Sequence, residues 1–452
     1  MTWIALKMLT GDKPKFLGIV LGLTFAALLI TQQGSIFCGL MCRTAGQVYD
    51  ITGADLWVMD PNVRFVDDIK PMIENNLYRV RGVDGIEWAV PLYKGNARAK
   101  LNSTGIDPVT KQPRSFQVIE QVILLGLDDN SMIGAPPPGR MLAGSLEDLR
   151  QPEAVMVDFT RLRKLYPGEP WDQEPALPGL IQTAREGIGH LLHEAGLIRE
   201  DPAEVGERER ARARSAFYSR FLGRDLEMND HRGHIVAVCE ATRTFQSNAV
   251  VYTTYSRAKL FVPRERKILS YVLARVAGAD RPGLTDEQRE GIRQEAARRI
   301  AGQTGLRART SRQFIWDTID YYMKYTGIPI NFGITAVLGF IVGTAIAGQT
   351  FYNFTLDNLK QFGALKAMGA SNLRIVGMIL LQATVTGLLG YGIGVGLAAL
   401  FGQASRGGEL AFFTPWQLLP ISGVAVVAIC LLASLVCVRR VIVLEPAVVF
   451  RG

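Results

Sequence analysis

The chain has 452 residues, 48 % of them hydrophobic, and a formal net charge of +8. That length gives room for two or three domains, and the apolar share is too high and too unevenly placed for one water-soluble unit. Five cysteines in so long a chain exclude a disulfide scaffold, and the surplus of Lys and Arg comes with no nucleic-acid motif.

Four stretches without a charged residue hold much of the apolar excess. They are bracketed by Lys15 and Arg43, Lys324 and Asp357, Arg374 and Arg406, and Glu409 and Arg439. Each holds the roughly 20 apolar residues that a helix needs to cross a bilayer core. The predicted spans are Phe16–Ile36, Ile328–Tyr352, Leu373–Phe401 and Trp416–Val438. An isolated span must satisfy its own backbone inside hydrocarbon, so each is expected to be helical. The first reads as an uncleaved signal anchor, because no small-x-small cleavage site follows and the apolar run continues past Ser35. Trp3 and Trp416 stand where interfacial anchors stand.

Lys7, Lys13 and Lys15 precede the first span. Lys360, Lys366 and Arg374 surround the loop after the second, and Arg439, Arg440 and Arg451 follow the fourth. The loop after the third offers only Arg406, countered by Glu409. The positive-inside rule then puts both termini in the cytoplasm and residues 43–325 outside. Membrane lipids, anionic ones above all, are the natural counterpart of the basic flanks, and no nucleic acid is needed. The expected organisation is 1–42 for the N-terminus and first span, 43–325 for an outer α+β domain, and 326–353, 372–402 and 416–438 for the other spans. Residues 354–371 form an inner helix, 403–415 a short outer loop and 439–452 an inner tail.

Within the outer segment, Ala54–Met59, Ile86–Tyr93, Gln117–Leu127 and Glu153–Phe159 read as strands by β-branched and aromatic content. Val66–Val80 reads as a helix between the first two, with Pro71 near its first turn. His234–Thr254 reads as two strands around a polar turn, and Lys267–Ala274 as another strand. Asp286–Ala301 and Ser311–Tyr325 read as helices, the second leading into span two. Residues 168–223 interrupt this series. Pro167, Pro170, Pro175 and Pro178 mark the entry, and the charged, helix-favouring remainder reads as a helical insertion with a solvated face.

Signals for chemistry are sparse. His190 with His193, and His231 with His234, lack a Cys or carboxylate cluster of zinc spacing, so no metal site is expected. No Gly-x-Ser-x-Gly elbow and no Gly-x-x-x-x-Gly-Lys-[Ser/Thr] loop occurs, so this chain is not expected to hydrolyse ATP. Apart from Arg374 at the edge of the third, the spans contain no Asp, Glu, Lys, Arg or His, which argues against an ion-coupled transporter. They do carry glycine at four-residue spacing: Gly339 with Gly343, Gly390 with Gly394, and Gly392 with Gly396. Such pairs let helices approach closely, within one chain or in a dimer.

The most patterned stretch is Thr355–Ala370, TLDNLKQFGALKAMGA, between spans two and three. Leu356, Leu359, Phe362, Gly363, Leu365 and Met368 recur at three- and four-residue steps and make one apolar stripe. Asp357 is expected in the first turn and Lys366 in the last, where the helix dipole favours each. Gly369 follows where a helix stops in a left-handed residue, and Ser371 or Asn372 can cap the next helix.

One span, a large outer domain, then three spans around an amphipathic inner helix is an informative order. With LKQFGALKAMGASNLRIVGMILLQATVTGLLGYGIG and the terminal RRVIVLEPAVVFRG, it resembles an FtsX-like permease of ABC transporters, of the MacB type. WIALKMLTGDKPKFLGIVLGLTFAALLITQQGSIF, ADLWVMDP, TRTFQSNAVVYTTYSRA and TGLRARTSRQFIWDTIDYY are similar to the DevC-like group; residues 168–223 depart from it. The resemblance implies a four-helix membrane bundle carrying a MacB-like periplasmic α+β domain in the inner membrane. Two copies would pair with two cytoplasmic ATPase subunits, which bind ATP and magnesium; no cofactor is implied for this chain. Phe362, Leu365 and Met368 would enter a groove on the ATPase, with Lys360 and Lys366 on its acidic rim. Leu356, Leu359, Gly363 and Gly369 would complete the handle. ATP-driven closure would be transmitted to the outer domain and would push a lipid, glycolipid or other amphiphile into a periplasmic membrane fusion protein and an outer-membrane channel. The alternative is an FtsX-type scaffold that activates a periplasmic hydrolase, against which the size of the outer domain counts. A membrane enzyme with an outer active site has no motif behind it.

Overall fold

The computed structural model describes residues 2–106, 113–166, 169, 171–175, 190, 193, 202–263, 268–405 and 409–442. The elements begin with α1 (Thr2–Gly11), α2 (Lys13–Thr44), α3 (Gly46–Asp50), β1 (Leu56–Met59), α4 (Asn75–Arg81), β2 (Ile86–Ile106), β3 (Pro113–Leu127), β4 (Met141–Ala143) and β5 (Ala154–Asp158). There follow α5 (Leu162–Leu165), α6 (Pro202–Tyr218), β6 (Asp225–Met228), β7 (His231–Cys239), β8 (Ala249–Thr254), α7 (Tyr255–Ala258), β9 (Tyr271–Val276), α8 (Asp286–Thr304), β10 (Arg307–Thr310) and α9 (Ser311–Tyr325). The chain closes with α10 (Ile328–Asp357), α11 (Leu359–Ala367), α12 (Asn372–Ala404) and α13 (Leu418–Ile442). It divides into two compact units, Met1–Met41 with Thr326–Gly452, and Cys42–Tyr325.

The first unit is helical. Among the described residues four helices are long and apolar enough to cross a membrane: Lys13–Thr44, Ile328–Asp357, Asn372–Ala404 and Leu418–Arg439. Two of the three glycine pairs explain how they pack. A side chain on Gly343 would collide with Ala26, while Gly339 lies against Leu29. A Cβ on Gly390 or Gly394 would come within 2.7 Å of Leu23 and Ala27. Both pairs therefore press on α2, one from α10 and one from α12, as small residues do where helices meet in lipid. Gly392 and Gly396 have no atom within 4 Å of where a side chain would start; the third pair turns away from this packing. Some polar side chains pair with one another or with nearby carbonyls, while the buried Thr24 and Thr31 hydroxyls have no partner among the described residues. Ser35 Oγ lies 2.8 Å from Thr414 Oγ1, and Tyr391 donates to the Leu419 carbonyl at 2.8 Å.

The second unit is α+β. Its ten strands form one sheet in the order β10-β1-β9-β2-β3-β8-β5-β7-β4, and β6 bridges β2 and β7. That bridge closes β2, β3, β8, β5, β7 and β6 into a ring. Pairing is antiparallel except for β3 with β8 and β5 with β7. Side chains alternate across the sheet, and each face has its own core. Leu56, Val58, Val122, Leu124, Val155, Val157, Val272 and Ala274 fall in one cluster. Trp57, Met59, Ile123, Leu125, Met156, Tyr252, Tyr271 and Leu273 fall in the other. Burial on both faces is why these strands read as unbroken apolar runs. Ala296, Ala297 and Ile300 of α8 cover the first face, and Phe314 of α9 covers the second.

Several expectations need correction. No helix spans Val66–Val80; only Asn75–Arg81 is helical. Met72 instead pairs with Leu269 as an isolated bridge, and the Val66 amide donates to Thr318 Oγ1 at 3.2 Å. Pro71 withholds a donor, and extended bonding to the sheet competes successfully with a helix there. The two strands read in His234–Thr254 are present as β7 and β8, with β5 lying between them in the sheet. Lys267, at the start of one predicted strand, lies outside the described residues. So do residues 176–189, 191–192 and 194–201 of the predicted insertion, and Arg406, Arg451 and the end of the tail. The described part of the insertion is helical over Pro202–Tyr218, and it is rooted by aromatics rather than by its charges. Phe217, Tyr218 and Phe221 are buried, and Trp171 stacks on Phe221 with ring centroids 5.4 Å apart.

Asp158, at the end of β5, is buried. It accepts from the Ala241 amide at 3.1 Å, the Thr160 amide at 3.3 Å and the Thr160 hydroxyl. Burial nevertheless dominates and pushes its carboxyl up from 3.8 to about 6. The folded chain therefore holds more protons than the unfolded chain between those values, so stability falls as pH rises through that window. The loss is on the order of 3 kcal/mol. Asp158→Asn should flatten the fall in melting temperature of the purified chain between pH 4 and 7; an unchanged pH profile would contradict this assignment.

Candidate functional site

The site lies at one end of the helical unit, where the long α10 gives way to the short α11. The break is at Asn358, whose side chain donates to the Phe354 carbonyl at 2.8 Å. Its own carbonyl still accepts from the Phe362 amide at 3.1 Å, so one residue serves both helices. Asp357 consequently ends α10 instead of starting the next helix. A carboxylate is unfavourable at a helix C-terminus, and Lys15 compensates by an ion pair to it. Lys15 also holds Asp12 at 2.8 Å and keeps that carboxyl below its usual range.

The far end of α11 is a Schellman stop. The Ala370 amide donates to the Leu365 carbonyl and the Gly369 amide to the Lys366 carbonyl, each at 3.0 Å. Gly369 has φ +91°. A side chain there would meet nothing within 4 Å, so the demand for glycine is conformational. Ala370 packs on the Leu365 cluster, the apolar contact that accompanies such a stop. Ser371 then takes the N-cap position of α12 in extended conformation, without a side-chain cap bond. The inner helix thus covers Leu359–Ala367, not the whole of Thr355–Ala370.

The apolar stripe turns inward, which corrects the expected handle. Phe362 is 1 % exposed and packs among Leu9, Phe351, Phe354 and Ile375. Leu365 is buried with Ala5 and Met378, and Gly363 is buried beside them. Leu356 and Leu359 are half-buried. Of the expected apolar handle, Met368 is therefore the residue left exposed. Facing outward are Lys360, Gln361, Met368 at 76 % exposure and Gly369, with Lys366 half-exposed. Leu373 at 82 % exposure and Arg374 continue this surface into the first turn of α12.

What covers Phe362 and Leu365, together with Ile375 and Met378 of α12, is α1. Ala5 and Leu9, one turn apart, are its buried face. The Ala5 carbonyl accepts from Gln382 Nε2 at 2.8 Å, and Gln382 is itself buried in α12. The stripe Ala5, Met8, Leu9 at three- and four-residue steps was the available signal. The arrangement contains no nucleophile, and no group of three or more metal-ligating side chains occurs among the described residues. It offers a firmly capped surface with exposed Met368 and Leu373 flanked by Lys360 and Arg374.

Residues 333–446, which hold this site, match the family model of the FtsX-like permease C-terminal domain. Over that stretch, about a quarter of the chain, it resembles an FtsX-like permease domain. The chain is 34 % identical over 124 residues to uncharacterized ABC transporter permeases of Mycobacterium tuberculosis and Mycobacterium bovis, covering 26 % of this chain and 33 % of theirs. A further uncharacterized ABC transporter permease of Mycobacterium tuberculosis is 33 % identical over 122 residues, 27 % of this chain and 34 % of that one. The match thus spans about a third of the length of these curated relatives. Two solved structures are also similar, each at 12 % identity. The extracellular domain of the noncanonic ABC-type transporter YknZ from Gram-positive bacteria has a TM-score of 0.29, covering 57 % of this chain and 98 % of that one. The periplasmic region of MacB from Actinobacillus actinomycetemcomitans has a TM-score of 0.31, covering 62 % and 96 %.

Proposed function

We propose that the permease is the membrane subunit of an ABC exporter and that the Met368 tip is where a separate ATPase subunit grips it. The observation that carries this is the tip itself. A long methionine is held almost fully exposed by a Schellman stop, next to exposed Lys360, Leu373 and Arg374. An exposed apolar residue on a rigid, cation-flanked corner suits an apolar pocket with an acidic rim. In this reading the tip lies in the cytoplasm, as do both termini, and the Cys42–Tyr325 unit lies on the other side of the inner membrane. ATP and magnesium are bound by the ATPase, and two permease copies assemble with two ATPases. Because Phe362 and Leu365 are locked to α1 and α12, a push on Met368 moves α1, α11 and α12 together. That movement passes up the spans to the α+β unit. The cargo would be a lipid, glycolipid or other amphiphile, delivered to a membrane fusion protein and an outer-membrane channel as in the DevC-like group. Spans whose only charges lie at their ends suit a machine whose cargo need not pass between them.

The test is co-purification of the full chain in mild detergent, with bound proteins identified by mass spectrometry. The expected result is an ABC ATPase, with Met368→Asp lowering its retention at least about tenfold, as loss of a central apolar anchor does. An ATPase held equally well by wild type and Met368→Asp would remove the tip from the interface.

A further inference from the structure

We propose that the groove between α8 and α9 is a binding site for a zwitterionic ligand with an apolar part, a phosphate-and-ammonium group being the best fit. The cavity has a volume of about 410 Å³, within the range of small-molecule sites. It is built on two helices joined by β10. Glu290 and Gln294 are one turn apart on α8, and Arg312 and Trp316 one turn apart on α9, so each helix gives the groove one stripe. A capping box, Thr285 with Gln288, fixes the start of α8, and Gly305 at φ +70° ends it. The walls are therefore held by regular structure.

The charges lining the groove are not equally available. Asp317 is taken by Arg307 at 2.6 Å and by Arg309 at 2.8 Å. Glu290 accepts from the Thr310 hydroxyl at 2.6 Å and from Gln294 at 3.4 Å, but among the described residues it has no cationic partner. Arg312 is exposed and has no ion pair among the described residues. Trp316 is 62 % exposed beside them. Among the described residues, one cation on α9 and one anion on α8 are thus left without an ion pair, and an exposed indole lines the same groove. Arg312 suits a phosphate through two parallel N–H bonds. Glu290 suits an ammonium, which the indole face also attracts, and the rest of the indole suits an apolar chain. The site lies wholly in the Cys42–Tyr325 unit and does not depend on how the membrane helices are driven.

Two probes separate the sources of this chemistry, namely dihexanoyl phosphatidylethanolamine for a lipid headgroup and phosphoethanolamine for a free zwitterion. The full chain in maltoside is titrated with each, following tryptophan emission and heat. Saturable binding of either is expected. Arg312→Gln should weaken it at least about tenfold, the cost of a lost charge-assisted pair. Glu290→Gln should weaken these probes while leaving dihexanoyl phosphatidylglycerol, which has no ammonium, unaffected. Trp316→Phe should abolish the emission change. Preference for the acylated probe identifies a lipid headgroup site, and equal binding of both identifies a site for the free zwitterion. All three side chains are partly or largely solvent-facing, so the variants are expected to fold. Absence of saturable binding of both probes, or binding that Arg312→Gln and Glu290→Gln leave unchanged, would overturn the proposal.

Discussion

Phe362→Asp is expected to unfold the helical unit rather than to uncouple it from a partner. Phe362 is 1 % exposed in a cluster formed by Leu9, Phe351, Phe354 and Ile375. Removing a buried phenylalanine costs about 3–5 kcal/mol, and an unpaired carboxylate in its place adds several kcal/mol more. The sum is comparable with the whole stability of a typical domain, about 5–15 kcal/mol. Cys430 and Cys437 are buried in the same cluster, so their reaction with a thiol-specific fluorogenic dye reports its opening on heating. The reaction should begin about 10–20 °C lower in Phe362→Asp than in wild type. Met368→Asp, at 76 % exposure, should melt as wild type does. This pair of variants separates a residue that builds the corner from one that is presented by it. Equal melting of Phe362→Asp and wild type would mean that the stripe is not inward.

The two residues share one amphipathic pattern, which is why the sequence could not tell them apart. A three-and-four periodicity identifies a face but not what the face meets. The stop of the inner helix was legible, because Gly369 and the apolar spacing are local signals, but its start was not: the long helix runs on to Asp357 and the inner one begins at Leu359. The direction of Phe362 depends on α1, which arrives from the other end of the chain, with Ala5 and Leu9 as the contact. The spans were legible for the opposite reason. A run such as Phe16–Ile36 needs no partner to be recognised, since composition and length suffice. The glycine pairs fell between these cases. Their spacing marked close approach, but only the geometry shows that Gly343, Gly390 and Gly394 press on α2 while Gly392 and Gly396 do not. In the α+β unit, burial of both sheet faces erased the alternation that would have set strand limits. β2 differs: it runs on to Ile106, past the predicted end at Tyr93, and beyond that end Ala97, Ala99 and Leu101 are buried while Asn96 and Arg98 are exposed. The first residue beyond that predicted end is Lys94, a charge in a buried position, and there propensity was a poor guide.

Lys94 also supplies the second large effect, because Asp67→Ala should leave its ammonium buried without a counter-ion. Lys94 Nζ lies 2.5 Å from Asp67 Oδ1 and donates to the Val66 carbonyl at 2.7 Å. Tyr271 donates to the same carbonyl at 2.8 Å, so the segment around Val66 is pinned from two strands. Breaking a buried pair by removing one partner costs about 3–5 kcal/mol. Hydrogen exchange of the amides in residues 60–70 should therefore speed up by about 100-fold or more in Asp67→Ala. Replacing both partners, Asp67→Ala with Lys94→Met, removes the stranded charge and should recover much of the protection, since an apolar side chain of similar length fills the space. The pH dependence has a defined sign. Burial depresses the Lys94 pKa below 10.5, so between that depressed value and 10.5 the unfolded chain holds more protons than the fold. Stability then rises with pH across this window, and the protection lost in Asp67→Ala should return as the solution is made alkaline. Exchange that is unaffected by Asp67→Ala, or a double variant no better protected than Asp67→Ala alone, would show that the pair does not hold this segment.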